Sequence, residues 1–300
     1  MDIDEFLYNY TSLENLLNNY LFEMEKKYRY QPSKDCLTIY KKHSLYFEKG
    51  ELIVLASRPS IGKTVLALNW GLDFALKQKK AVGFITSGIP NSEYLTLRLL
   101  SLESKISPVK IRNCMLAKND IKLLQKASSK LFDLPIFISD IPNAKFEDIE
   151  NISTEMVNKK NIEILFIDGF EYFYEIIVTK TFWEDIPYSE DMMPYYFEIS
   201  SMIEKIKELA NKLKIPIVLI FPINQPKRGY YLYEPTLLSL KDKLIVTKLA
   251  DKIIFLHRNR NNENEEWQQA KLIVAKDNNN CSFDIYLEFN CKTGEFRYKE

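Results

Sequence analysis

Apolar residues along this chain recur at two spacings, and the two spacings alternate. Ile3, Phe6, Leu7, Tyr10, Leu13, Leu17, Tyr20, Leu21 and Met24 stand three and four apart, the stripe of an amphipathic helix over residues 3–27. The polar, turn-prone Gln31-Pro32-Ser33-Lys34-Asp35 that follows reads as a connector. A helix set apart in this way buries its stripe on its own domain or on a neighbouring subunit. Beyond the connector, short apolar runs predict strands at Glu51–Leu55, Lys80–Thr86, Pro135–Ile138, Ile162–Asp168 and Pro216–Phe221. Helical spacing separates them, over residues 64–76, 91–104, 119–131, 145–158 and 196–213. Three further strand runs, Ile253–Leu256, Ala270–Ala275 and Phe283–Phe289, follow without long helices between them, which predicts antiparallel pairing there. Strands alternating with helices predict an α/β domain with a mostly parallel, helix-flanked sheet.

The first of these strands leads into Ala56-Ser57-Arg58-Pro59-Ser60-Ile61-Gly62-Lys63-Thr64, and a helix with Val65, Leu68, Leu72, Ala75 and Leu76 on one face follows at once. Strand, tight loop, Gly-Lys-Thr and helix are the build of a phosphate-binding P-loop. Backbone amides from Ser57 to Thr64 wrap an anionic phosphate chain, and the helix N-terminus adds its dipole. Lys63 is positioned to reach the outer phosphates of ATP, and Thr64 to hold Mg²⁺ through its hydroxyl. Ser57 stands where the usual pattern has its first glycine. A second element fits the same chemistry: Ile162–Asp168 is an apolar strand that ends in a carboxylate, and in parallel sheets ligands bind beyond the carboxyl ends of strands. Asp168 is the candidate partner of Thr64 at the metal.

Composition narrows the picture a little. Over 300 residues, 41 Lys+Arg balance 41 Asp+Glu, so nucleic-acid binding has to come from local patches rather than net charge. The four cysteines, Cys36, Cys114, Cys281 and Cys291, form no Cys-x-x-Cys pair and have no zinc spacing with His43 or His257, which reads as reduced thiols. No apolar run approaches the roughly 18 residues that span a bilayer. The acidic start Met1-Asp2-Ile3-Asp4-Glu5 lacks the layout of a signal peptide, and a cytoplasmic protein without membrane association is expected.

The block Gly50–Thr64, followed by Ala67-Leu68-Asn69, resembles the C-terminal ATPase domain of DnaB-type replicative helicases. The likeness continues through Leu99-Leu100-Ser101 and Glu103, Leu134–Ile138, Ile167-Asp168, Leu209-Ala210, Ile215–Ile217, Ala250-Asp251, Phe255–Arg258 and Ile273–Lys276, so that it covers about residues 45–298 in order. The resemblance implies a RecA-like P-loop NTPase fold over residues 45–300, after a docking helix over 1–30 and a linker over 31–44. It also implies hexameric self-association, ATP and Mg²⁺ as cofactors, single-stranded DNA as a partner, and a role in replication beside other replication proteins. Residues 3–27 look like the family's linker helix, which docks on the adjacent subunit.

Three positions depart from the family. Gly88 stands where the family has a water-activating glutamate, Pro222 where it has a γ-phosphate-sensing glutamine, and Asn278 where it offers an arginine finger. Glu171, three past Asp168, is a candidate replacement base or a capping and solvent-facing residue. Arg58, Arg228, Arg258 and Arg260 are candidate cations, with Arg258 first because the family often has arginine there. Lys276 matches the family's lysine beside the finger and is a candidate contact to a neighbour's phosphates. These losses leave two expectations open: an ATP-driven translocase on single-stranded DNA, or a relative that binds nucleotide without turnover and acts as a structural or regulatory partner.

The loops also point two ways. Between Phe173 and Ile203 the sequence holds Glu175, Glu184, Asp185, Glu190, Asp191 and Glu198 against Lys180 alone. Such a loop repels a phosphate backbone, and its aromatics either stack bases or, as the favoured expectation, lie in a protein interface or in packing. Lys227, Arg228, Tyr230, Tyr231, Lys241 and Lys243 interleave cations with rings, either as a strand-binding surface or as a solvated loop.

Overall fold

The computed structural model describes residues 37–40, 45–173, 193–223, 233–258, 266–277 and 282–298. The expected helix over 3–27, the acidic loop over 174–192, the basic-aromatic residues 227–231, Arg260 and Asn278 lie outside them. The chain divides after Cys36, and the larger unit is Leu37–Glu300. This unit begins inside the expected linker, because Leu37–Tyr40 (β1) pairs antiparallel with Leu45–Phe47 (β2), Leu37 opposite Phe47.

Its core is a nine-stranded sheet. In chain order the elements are β3 (Leu52–Ser57), α1 (Lys63–Lys77), β4 (Val82–Thr86), α2 (Ser92–Ser104), α3 (Pro108–Arg112), α4 (Lys118–Phe132), β5 (Ile136–Asp140), α5 (Phe146–Lys160) and β6 (Ile164–Asp168). After a 3-10 turn, Phe170–Tyr172, come α6 (Met193–Leu213), β7 (Ile217–Pro222), a 3-10 helix (Leu237–Lys243) and α7 (Leu244–Leu249). The chain ends with β8 (Lys252–Arg258), β9 (Trp267–Lys276), β10 (Phe283–Asn290) and β11 (Phe296–Tyr298). Spatial order is β11-β10-β9-β8-β3-β7-β6-β4-β5. The strands from β8 to β5 run parallel, and β8 to β11 pair antiparallel, as the missing helices there predict.

Alternation along the central strands explains the two cores. Leu52, Val54 and Ala56 of β3 face one layer with Ile203, Ile206 and Leu209 of α6, while Ile53 and Leu55 face the other with Leu66, Trp70 and Phe74 of α1. Both faces are covered, so β3 is buried at every position, and each fully buried Leu or Ile contributes about 1.5–3 kcal/mol. Helix α1 is also buried on more than the one face its periodicity predicts. Trp70 meets Phe47 of β2 edge-on at 5.6 Å, and Asn69 accepts the Phe296 amide and donates to Gly294 O, both at 3.0 Å. The strand hairpins thus close over the side of α1 that faces away from the sheet.

Register sets the functional edge. Ser57 lies opposite Pro222, and Thr86 lies opposite both Asp168 and Asp140, so these carboxyl ends form one rim.

Candidate functional site at the carboxyl edge of the sheet

The rim opens beside the loop that joins β3 to α1. Ser57 is fully buried, and its hydroxyl donates to Arg58 O at 2.9 Å, so the residue in place of the usual first glycine folds onto its own loop. Pro59 and Ser60 are exposed, and Ile61 packs partly against the α1 core. Gly62 caps α1 at φ 113° with no side-chain hydrogen bond, and no acid occupies the first turn. Three other helices are finished differently. Asn91 accepts the Tyr94 amide at 2.9 Å for α2, and Asp120 and Asp148 reach back to the Ala117 and Lys145 amides at 3.0 Å for α4 and α5. The start of α1 therefore carries its positive dipole end without a side-chain acceptor, as an anion site requires.

Lys63 is part-exposed beside this helix end and makes no ion pair with a described residue. Thr64 Oγ1 donates to Asp168 Oδ2 at 2.6 Å. Asp168 is 4% exposed, and its other oxygen accepts the Gly169 amide at 2.8 Å. Two residues 104 apart in sequence are thus joined at the cleft, because β7 alone separates β3 from β6. The cleft encloses about 500 Å³ between Gly62, Lys63 and Thr64 on one side and Gly88, Pro90 and Tyr94 on the other.

Sequence reasoning missed what holds that second wall. Asp140 ends β5 and accepts the Gly88 amide at 3.3 Å and the Ser92 amide at 3.0 Å. Its position at the carboxyl end of an apolar strand was the available signal. Gly88 itself lines the cleft at φ 80°, a conformation that a glutamate adopts only under strain. Pro222 ends β7 on the rim, where the neighbouring Ile223 amide donates to Ser57 O at 3.1 Å.

Two candidates are placed elsewhere. Arg258, expected as a phosphate-facing cation, instead turns under the P-loop and is 8% exposed, with its guanidinium on the Ile61 and Ser60 carbonyls. Lys276, expected near a neighbour's phosphates, donates to Thr247 O at 3.0 Å, Lys248 O at 3.4 Å and Ala250 O at 2.5 Å. Those carbonyls end α7, where the helix dipole favours a cation. Glu171 lies in the 3-10 turn after Asp168, and its carboxylate is outside the described part. Arg58 is part-buried in the loop.

Comparisons with known proteins bear on the family and the fold. Among relatives, the replicative DNA helicase DnaB of Treponema pallidum (strain Nichols) is 29% identical over 288 residues, covering 95% of this chain and 61% of that protein. A probable replicative DNA helicase of Trieres chinensis is 28% identical, covering 83% of this chain and 53% of its own length. A probable plasmid replicative DNA helicase of Chlamydia psittaci is 26% identical, with 85% and 53% coverage. The chain thus spans little more than half the length of such relatives. One solved ATPase domain superposes with a TM-score of 0.74 at 19% identity, covering 97% of this chain and all of that domain. A DnaB-like replicative helicase, described with its interactions with primase, gives 0.69 at 19% identity, with 85% and 60% coverage. The fold is therefore that of RecA-like helicase ATPase domains. Residues 42–298 match the profile of the DnaB-like helicase C-terminal domain, and the chain belongs to that family.

Proposed function

We propose that this chain binds ATP with Mg²⁺ in the cleft between the P-loop and the Gly88–Tyr94 wall, and works as the motor domain of a replicative helicase on single-stranded DNA. The observation that carries the reading is the hydrogen bond from Thr64 to Asp168. A hydroxyl and a carboxylate brought together beside an uncapped helix start are the hard oxygen donors that Mg²⁺ takes, with room for phosphate and water oxygens beside them. The residues present fit the ion; when bound, it supplies charge neutralisation between phosphates. Lys63 and the amides from Gly62 to Thr64 neutralise and orient the phosphate chain, and Asp168 holds Thr64 in place.

Turnover is the open half of the reading. A second possibility, nucleotide binding without hydrolysis in a structural or regulatory partner, is favoured by one observation: Gly88 faces the cleft with no side chain where the family has its glutamate. Glu171 is the carboxylate nearest in sequence to Asp168 that remains available as a base. Self-association, with the helix over 3–27 docking on a neighbour, and cytoplasmic work with other replication proteins belong to the same proposal.

The deciding experiment is ATP turnover with and without single-stranded DNA, alongside binding of a fluorescent ATP analogue, with Lys63→Ala as control. A DNA-stimulated rate lost in Lys63→Ala supports the motor. Binding through Lys63 with no turnover supports the second reading. No binding refutes both.

A further inference from the structure

The loop between β3 and α1 holds two residues in the left-handed region, Ser60 at φ 62° and Gly62 at φ 113°. For serine, which has a Cβ, that conformation is unfavourable and needs neighbours that hold it. The neighbours come from the antiparallel side of the sheet. Arg258 ends β8 and donates from Nη2 to Ser60 O at 3.4 Å and from Nε to Ile61 O at 3.3 Å. Its Nη1 donates to Gln268 Oε1 at 2.7 Å, and the guanidinium carbon lies 4.1 Å from the centre of the Phe289 ring. Gln268 is 5% exposed on β9, and Phe289 is 8% exposed on β10. An acceptor and a ring on two further strands fix the plane of the fork.

The geometry has a direct effect on the loop. In a trans peptide the C=O and N–H point in opposite directions. Drawing the Ser60 and Ile61 carbonyls toward Arg258 turns the Ile61 and Gly62 amides away from it. The Ile61 amide closes a turn onto Arg58 O at 3.4 Å, and Gly62 lines the cleft. Left-handed residues set among right-handed ones make successive amides converge on an anion.

We propose that Arg258 is a positioning residue for nucleotide: from within the sheet it fixes the Ser60 and Ile61 peptide planes, so that the loop amides are arranged before phosphate arrives. This rests on reading the cleft as a nucleotide site. The charge acts on the loop and not on phosphate. Loop amides cradle the inner phosphates, so ATP and ADP feel Arg258 alike.

The test uses the full chain as wild type, Arg258→Met, Arg258→Lys and Gln268→Leu. Fluorescent ATP and ADP analogues are titrated, and hydrogen exchange over residues 58–64 and over β6 is followed in nucleotide-free samples. Arg258→Met is expected to weaken both nucleotides about tenfold by loss of preorganisation, and Gln268→Leu by less. Exchange rises over 58–64 in both variants and stays constant over β6. Arg258→Lys keeps the charge without the planar fork and is expected to follow Arg258→Met. A folded Arg258→Met that binds both nucleotides like wild type refutes the proposal. So does a loss confined to ATP, which points to direct γ-phosphate contact. Should Arg258→Met fail to fold, Gln268→Leu decides on the same two readouts. A wild type that binds neither nucleotide overturns the reading of the cleft, while exchange over 58–64 still decides whether the arginine holds the loop.

Discussion

Asp168→Asn separates the two tasks assigned to the strand end. The substitution keeps the shape and leaves Oδ1 to accept the Gly169 amide, now at 2.8 Å. The new NH₂ faces Thr64, whose hydroxyl rotates from donor to acceptor, so the 2.6 Å contact survives in neutral form. A charge-assisted bond exceeds a neutral one by about 1 kcal/mol. Removing a formal charge from a residue only 4% exposed offsets part of that. Nucleotide-free stability should therefore move by no more than about 1 kcal/mol, or about 2–4 °C for a chain of this size. Binding behaves differently. Wild type at ligand concentrations a hundredfold above Kd gains about 2.7 kcal/mol from occupancy. Without the carboxylate, the increment that Mg²⁺ adds to ATP should vanish. The assay is urea unfolding of both proteins under four conditions: no ligand, Mg²⁺, ATP, and both. A variant that keeps the full Mg²⁺-dependent increment refutes the role of Asp168 at the metal. One that loses more than about 3 kcal/mol without ligand refutes the isosteric reasoning.

Three further outcomes are expected. Lys252 is buried between Glu51 and Asp277, the latter at 3.2 Å; burial pulls its pKa down, but the two carboxylates more than offset this and keep it charged. Lys252→Met leaves two buried carboxylates and should cost about 3–5 kcal/mol in urea unfolding at neutral pH. Burial already pushes the Glu51 carboxyl up, so the deficit should shrink toward pH 5, and a deficit that grows there contradicts the reasoning. Gly71→Ala puts a Cβ 2.7 Å from the Phe84 ring; overpacking of about 1–3 kcal/mol outweighs the roughly 1 kcal/mol of helix propensity gained, and an unchanged midpoint would contradict that packing. Burial lowers the His257 pKa below the ordinary imidazole value of about 6.5. The unfolded chain then binds the proton more tightly, so its contribution is intact above that value and is lost as pH falls through it toward the folded pKa. His257→Gln should flatten this part of the stability–pH curve.

Helical periodicity and short apolar runs placed most of the long elements, because a helix buried on one side repeats its apolar residues every 3.6 positions and a strand covered on both faces is apolar throughout. β2 (Leu45–Phe47), α3 (Pro108–Arg112) and β11 (Phe296–Tyr298) are short and mix polar with apolar residues, so they appear only in the structure. The Gly62-Lys63-Thr64 start of α1 was legible because a phosphate loop and its helix are contiguous in the chain. Asp168 was legible as the end of an apolar run.

What the sequence could determine, then, is local: which residues form each element, that strands and helices alternate, and where a phosphate loop begins. Only the tertiary structure decided who meets whom. Strand order brings Asp168 to Thr64, a contact the two motifs suggested and only the sheet makes. The same order carries Arg258 under the P-loop and Lys276 onto the end of α7, so two cations that looked alike as phosphate ligands find carbonyls first. The physical reason is that a side chain's period reports its burial, whereas its partner depends on contacts across many residues, such as the 197 between Ile61 and Arg258.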